Sequence, residues 1–472
     1  MLLMNQKPLS PTQQPLGFEY DEGQTQQNLT AWAGIPVLLQ AFRSLDLPRS
    51  VQRHVAVKQR QRGLDEASYV ESFLILNACG GEYLDDFAHL RKDGLKELIG
   101  HDLPSPEGAR KFLYHFHDEQ LIEQARQRLL PGHSSYIPEE NAALAGLGKV
   151  NQDLVRELAK RGDRQTIATI DLDSTIIESW KKQAQPTYQG ERGYQPMLAV
   201  WAETNVILAD QFRDGNVPAQ QDPLTAAQRA FQALPESVKE FYFRGDAACY
   251  EKQLMAWLRN EQRPLGPQGK IGFAVSVRMH PSLKQHIVRL PEEVWKSYRE
   301  ESEAESHCAE VSNYWPELEE EKEFGPLRWV AIRVRKKQGE LFGDGSETKY
   351  FAVITNIWEW NAKRLLEWHR EKAGTIEAIH DVLKNELAAG VLPCGRFGAN
   401  AAWLRLAVIT HNVMTALKRM ALPEQYLRAR PKRLRFLIFH TVGRIVYHAR
   451  KILCRVSPTG WRDWLKLMPL PV

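Results

Sequence analysis

An α/β protein, with a mixed-sheet core between two helical flanks, is predicted by three observations. Between residues 166 and 277, short runs rich in isoleucine, valine and aromatics alternate with two amphipathic helical runs. Helical patterns dominate before that stretch and again after residue 356. The 472 residues also exceed one ordinary hydrophobic core, so two to four domains are expected.

Composition narrows the class. With 43% hydrophobic and 25% charged residues the chain reads as a soluble globular protein. No apolar run approaches the roughly 20 residues of a membrane span. The N-terminus is polar and Gln-rich, without the basic-then-apolar pattern of a signal peptide, which makes a cytoplasmic, membrane-free location the expectation. The five cysteines are scattered and form no C-x-x-C pair, so neither a disulfide framework nor a thiolate zinc site is indicated.

In chain order, residues 1–30 read as a flexible tail and 31–150 as a helical region. A helix over 66–78 ends at Gly80-Gly81, and others follow over 82–92 and near 95–99. Ser105-Pro106 has the form of a helix start, with Ser as the cap and Pro at the first helical position. The helix it opens carries Arg110, Lys111, His115 and His117. Short helices with Gly turns and a final basic helix fit a DNA-recognition unit, with Arg110 and Lys111 as its candidate readers; a generic helical bundle has the same pattern. Arg49, Arg53, Lys58, Arg60 and Arg62 add candidate phosphate contacts.

Residues 160–278 form the first part of the core. The run Thr166-Ile-Ala-Thr-Ile-Asp171-Leu-Asp173 alternates as a strand, which sets Asp171 and Asp173 on one face. Neighbouring carboxylates repel and persist where a cation or a wet cleft stabilises them. A hairpin over 197–203 and 206–212 follows, then a helix over 224–234 and a strand over 240–246 ending in Asp246. A helix over 247–260 and a strand over 271–277 complete the series. Three strands, a helix, a strand, a helix and a strand is the order of a ribonuclease-H-like core, whose fourth strand lies beside the first.

Residues 279–355 read as a β-rich insertion with an acidic stretch over 292–323. The last part of the core, 356–420, opens with a helical tract over 361–388 that is expected to break at Gly374. Glu377 would then lie in the first turn of the renewed helix, where the dipole favours a carboxylate, and Lys384, seven residues on, shares its face. Residues 421–472 read as a basic helical C-terminus. From Trp403 onward there are 14 Lys/Arg against 2 Asp/Glu, a local charge of +12 that suggests a polyanionic partner, most often nucleic acid.

Asp173, Asp246 and Glu377, separated by 73 and 131 residues, are candidate ligands for two magnesium ions, with manganese as the expected substitute. A rival reading takes Asp171-x-Asp173-x-Thr175 as the first motif of a haloacid-dehalogenase-like phosphatase, with Asp171 as nucleophile. The hairpin that follows the motif opposes it, because that family continues with βα alternation. Glu377-x-x-His380 also matches the helical pair of di-iron bundles, but no second such pair occurs.

Together these residues resemble the DDE transposases of bacterial insertion sequences, in particular the cut-and-paste branch with a Tyr-Arg-Glu-Lys signature. The resemblance runs from about Arg49 to Met420. It is carried by Asp171-Leu-Asp173-Ser-Thr, Tyr242-Phe-Arg-Gly-Asp246-Ala-Ala-Cys-Tyr, Tyr350-Phe-Ala-Val-Ile-Thr-Asn356, and Gly374-Thr-Ile-Glu377 through Lys384-Asn-Glu-Leu387. It implies Asp173, Asp246 and Glu377 as the catalytic metal-binding acids and Lys384 as a phosphate ligand. The family's Tyr-x-x-Arg appears as His369-x-x-Lys372 with one extra residue before Glu377, which implies His369 and Lys372 as phosphate ligands, with Arg370 as an alternative. Arg428, Arg430, Lys432, Arg433 and Arg435 are expected on DNA backbone. In relatives an insertion-domain aromatic stacks a flipped base, and Trp295, Trp315 and Trp329 are its candidates here. The implied partners are terminal inverted repeats and target DNA, held by a homodimer at synapsis. The alternative from another class is a catalytically inactive, transposase-derived DNA-binding protein.

Overall fold

The structure is a computed structural model that describes residues 28–57, 63–129, 131–162, 164–312, 314, 323, 325–337 and 341–456. The expected tail, Lys58, Arg60, Arg62 and Trp315 lie outside or almost wholly outside those residues.

A short strand, β1 (Leu29–Thr30), opens the described chain. Helices follow: α1 (Ile35–Ser44), α2 (Leu47–His54), α3 (Glu66–Cys79), α4 (Phe87–Leu90), α5 (Leu95–Ile99), α6 (Pro106–Tyr114), α7 (Glu119–Gln127) and α8 (Ala142–Arg161). Their ends follow local chemistry. The Asp65 carboxylate accepts from Ser68 N at 2.8 Å to start α3, and Gly80, at φ 86°, supplies the left-handed residue that stops it. Ser105 Oγ accepts from Gly108 N at 3.1 Å, with Pro106 first in α6 as expected.

Next come β2 (Ile167–Ser174), a small sheet of β3 (Ile177–Glu178), β4 (Gln185–Pro186) and β5 (Arg192–Tyr194), then β6 (Met197–Trp201) and β7 (Val206–Gln211). They are followed by α9 (Pro223–Ala233), β8 (Glu240–Gly245), α10 (Lys252–Arg259), β9 (Ile271–Ser276) and α11 (Pro281–Val288). The strands β10 (Lys296–Glu300), β11 (Ala304–Glu310), β12 (Arg328–Lys336) and β13 (Thr348–Thr355) come next. The chain continues with α12 (Ala362–Arg370), α13 (Lys372–Glu386), α14 (Phe397–Met420) and α15 (Pro431–Leu434). It ends in β14 (Gly443–His448) and β15 (Lys451–Val456).

The main sheet has the order β10-β11-β12-β13-β9-β8-β2-β6-β7. Within it, β7-β6-β2-β8-β9 follows the predicted succession. β6 runs antiparallel to β2, while β8 runs parallel to β2 and β9 parallel to β8. The expected insertion is β-rich, but it does not stand apart: β13 pairs with β9 at Val353↔Ser276, so its four strands extend the core sheet. Asn356, just after β13, locks that junction by accepting from Phe273 N at 2.9 Å and donating to Ile271 O at 2.8 Å.

The expected helical DNA-binding region shares its hydrophobic core with the sheet. The link is α14, which is buried from Gly398 to Leu417. Its Trp403 ring meets Phe73 of α3 edge-on at 5.9 Å, and its Asn412 bridges Asn151 of α8 and Ile207 of β7. Arg405 of α14 holds Asp210 of β7 at 2.9 Å and Glu140, just before α8, at 2.9 Å. α2 crosses α8 so closely that a Cβ on Gly146 would lie 2.0 Å from the His54 carbonyl oxygen.

Two expectations are corrected. The tract over 361–388 breaks at Glu371, not at Gly374, so Glu377 sits beyond the first turn of α13. The C-terminus is not helical over its described length: after the short α15 and a π-turn over Arg435–Phe439, it forms the β14–β15 hairpin, which pairs with β1.

Candidate active site

β2 is where the sheet changes direction, with β6 antiparallel on one side and β8 parallel on the other. In open α/β sheets the carboxyl ends of strands at such a switch form the ligand crevice. The last paired rung of β2 and β8 is Leu172↔Gly245, so Asp173 and Asp246 emerge side by side as the next residues of two parallel strands. Burial, then the charge of Asp173, push the Asp246 carboxyl above the usual carboxylate range. The turn after β8 fixes Asp246: Ala248 N donates to its Oδ1 at 3.0 Å. Gly245 is required there, since a Cβ would lie 2.6 Å from Cys249 Sγ.

Helix α13 packs on this face of β2. Lys372 Nζ lies 3.4 Å from Asp173 Oδ2, and one turn later the Thr375 hydroxyl donates to Asp171. Burial opposes the Lys372 charge, yet Asp173 and Asp246 outweigh it and hold its pKa above the ordinary value. Three residues of helix and two of strand cover comparable lengths, which matches the two contacts.

Asp171 is wholly buried. The Arg244 guanidinium grips it with Nε at 2.6 Å and Nη2 at 2.9 Å. Arg244 Nη1 also donates to Trp368 O at 2.6 Å and to Glu371 at 3.1 Å, tying the α12–α13 junction to β2. A carboxylate sequestered in this way is no nucleophile, and the phosphatase reading loses its catalytic group. Neither Arg244 nor Thr375 was singled out by sequence reasoning, although Arg244 lies inside the motif around Asp246.

The remaining predicted residues divide. Among the described residues, no three of His, Cys, Asp and Glu stand close enough to hold one metal ion. Glu377 is exposed, so the structure forms the Asp173–Asp246 pair but does not bring the third acid to it. Lys384, on the same flank of α13, reaches the Ile176 carbonyl beyond β2 at 3.5 Å. Buried His380 lies near Lys384 and Lys372, and its Nε2 has no hydrogen-bond partner among the described residues. His369 is not a free phosphate ligand: its Nε2–H donates to Gly245 O at 3.1 Å, and burial lowers its pKa to about 4, so the ring is neutral and braces the Asp246 turn. Arg370 is exposed, 3.8 Å from Glu301 of the insertion.

The C-terminal cluster is only partly available. Arg430 pairs with Asp381 and, at 2.6 Å, with Glu386. Arg435 caps α3 by donating to Ala78 O at 2.8 Å and Asn77 O at 3.0 Å. Arg428, Lys432 and Arg433 are exposed. Arg110 and Lys111 are both drawn to Glu107, at 2.7 and 3.7 Å. Trp295 and Trp329 are buried, and the Arg333 guanidinium covers the Trp295 ring at 4.4 Å, so neither offers a free stacking face. Among the described residues the most exposed large aromatic is instead Trp180, at 95%, in the small sheet region seven residues after Asp173. An isolated tryptophan with neither periodicity nor a motif around it gave no sequence signal.

Paired carboxylates at the ends of adjacent parallel strands, with a lysine beside Asp173, form the candidate site. The chain matches the family described as Transposase DDE domain group 1 over residues 23–461, and it belongs to that family. Among solved structures it is similar to a piggyBac transposase in a synaptic complex with hairpin DNA. That similarity has a TM-score of 0.45 and 9% identity over 87% of this chain and 81% of the other. Comparison with curated proteins gives no match. No helix among the described residues is long and apolar enough to cross a membrane.

Proposed function

We propose that this protein is the transposase of a bacterial insertion sequence of the cut-and-paste type. It binds the terminal inverted repeats, cuts DNA at the element ends and joins the freed 3′-hydroxyl strands to target DNA, as a homodimer at synapsis. The observation that carries the reading is the emergence of Asp173 and Asp246 from adjacent parallel strands, with Lys372 drawn to both.

The donor set fits a hard divalent cation. Its atoms are carboxylate oxygens, burial and then the charge of Asp173 both disfavour an ionised Asp246 that lacks a cation, and a cationic group already sits against Asp173. Asp173 and Asp246 would hold Mg²⁺, or Mn²⁺ in its place; Glu377, the expected third carboxylate, stands exposed on α13 away from the pair and would have to approach it to complete a two-ion set. Bound there, the metal supplies activation of the attacking oxygen and charge stabilisation of the leaving one. The chain's own groups do the positioning. Arg244 and His369 fix the two strand ends, Lys384 and Arg370 meet phosphates near the cut, and Arg428, Lys432 and Arg433 meet backbone further away.

The test is a nicking and strand-transfer assay with Mg²⁺ on duplex DNA carrying the element's inverted repeats. Wild type is expected to cut and join, and Asp246→Asn to do neither while still binding. Equal products from both proteins would end the enzyme reading. Binding by wild type without any cleavage would favour the transposase-derived DNA-binding protein.

A further inference from the structure

The β14–β15 hairpin is a basic ribbon with two unlike faces. Its inner face packs on the helical region: Ile445 is buried, and the Tyr447 hydroxyl donates to Glu97 of α5. Its outer face carries three cross-strand pairs, Arg444↔Arg455, Val446↔Leu453 and His448↔Lys451. The turn between the strands is Ala449-Arg450, both left-handed at φ 47° and 64°, a tight reversal with Arg450 at the tip. Residues 443–456 contain four Lys/Arg and no Asp/Glu.

Two arginines directly opposite each other on antiparallel strands repel. No ion pair relieves Arg444 or Arg455 among the described residues. Elsewhere in the C-terminal segment arginines do find acids, as Arg405 and Arg430 show. A sheet face that keeps unpaired like charges in register is complementary to a polyanion.

From this geometry we infer that the outer face of the β14–β15 ribbon is a contact surface for duplex DNA. Arg444, Arg450, Lys451 and Arg455 lie on backbone phosphates there, without reading sequence. The inference rests on the proposed transposase reading and adds to it a surface remote in sequence from the acids.

The test uses the full-length protein and two duplexes, one with an inverted repeat and one of unrelated sequence. Arg455→Glu replaces a repelling cross-strand pair with an attracting one. It is expected to raise the Tm by about 1 °C yet weaken both duplexes roughly tenfold at 0.1 M salt. The double variant Arg444→Gln/Arg455→Gln, which keeps side-chain length without charge, should bind with a log–log salt slope shallower by about two. It carries the test even if Arg455→Glu misfolds. Unchanged affinity and slope in the double variant, or a stabilised Arg455→Glu that binds DNA like wild type, would overturn the inference and leave a merely solvated face. A wild-type protein that binds neither duplex would overturn the transposase reading as well; cleavage-competent wild type with indifferent ribbon variants would remove only the inference.

Discussion

Arg244 holds Asp171 through two parallel hydrogen bonds, at 2.6 and 2.9 Å, in a position where both side chains are sealed from solvent. The pair stands one strand step behind Asp173 and Asp246 and reaches on to Trp368 and Glu371. It therefore fixes where α13 begins relative to β2, and so where Lys372 meets Asp173.

Asp171→Asn removes the buried carboxylate that neutralises Arg244 and leaves only the exposed Glu371 as its counter-charge. The expected cost is about 3–5 kcal/mol of stability, read by chemical denaturation. A variant as stable as wild type but inactive would show that Asp171 acts chemically and would revive the phosphatase reading.

Glu140 gives the fold a defined acid sensitivity. Burial alone would raise its pKa, but Arg405 and Arg229 outweigh it and hold the carboxyl at about 2 against an ordinary 4.5. Because the folded pKa is depressed, the contribution of roughly 3 kcal/mol is present above about pH 4.5 and is lost as pH falls toward 2. Glu140→Gln should lose that stability at neutral pH and show a flatter melting profile between pH 5 and 2, on the order of the window above. A profile that parallels wild type would count against the assignment.

Lys372 is a cation already paired with Asp173 and within the field of Asp246. Lys372→Met should raise the Asp246 pKa further. A raised folded carboxyl pKa makes stability fall as pH rises through it, so the variant should lose Tm more steeply above pH 4 than wild type, on the order set by one buried carboxylate. Added Mg²⁺ should restore the variant and bind it roughly tenfold tighter, because no ammonium competes. Equal Mg²⁺ shifts in Tm for both proteins would show that Lys372 does not occupy the cation position.

Trp180 exposes nearly its whole ring close in sequence to Asp173. Trp180→Ala should leave the Tm within about 1 °C, since surface changes rarely matter to stability. The same change should weaken single-stranded or distorted DNA ends by about 1–3 kcal/mol of stacking, measured by fluorescence titration. Loss of Tm without loss of binding would make Trp180 a packing residue instead.

The core was legible because its strands alternate and its helix caps obey local chemistry, as at Asp65 and Ser105. The Asp173–Asp246 pair was legible too, since both residues end predicted strands. The hairpin over 443–456 was not: its turn, Ala449-Arg450, lacks the Asn or Gly that signals a two-residue reversal, so its charges read as a helical tail. The break at Glu371 escaped notice because Arg244 sets it from another strand. Gly374 meets nothing within 4 Å, and an exposed glycine is tolerated within a helix. Helix α14 was missed because an element apolar on every side shows no periodic stripe.

The clamp of Arg405 on Glu140 and Asp210 bears on how this protein is able to evolve. The N-terminal helices do not hang from the sheet like a bead on a string, because one guanidinium and the length of α14 serve both. An exchange of residues 31–150 for another helical unit would strip α14 of its packing against α1, α3 and α6 and leave Arg405 without its Glu140. Change in that helical region is therefore expected to be tolerated on its surface, residue by residue, and not by wholesale exchange of the unit.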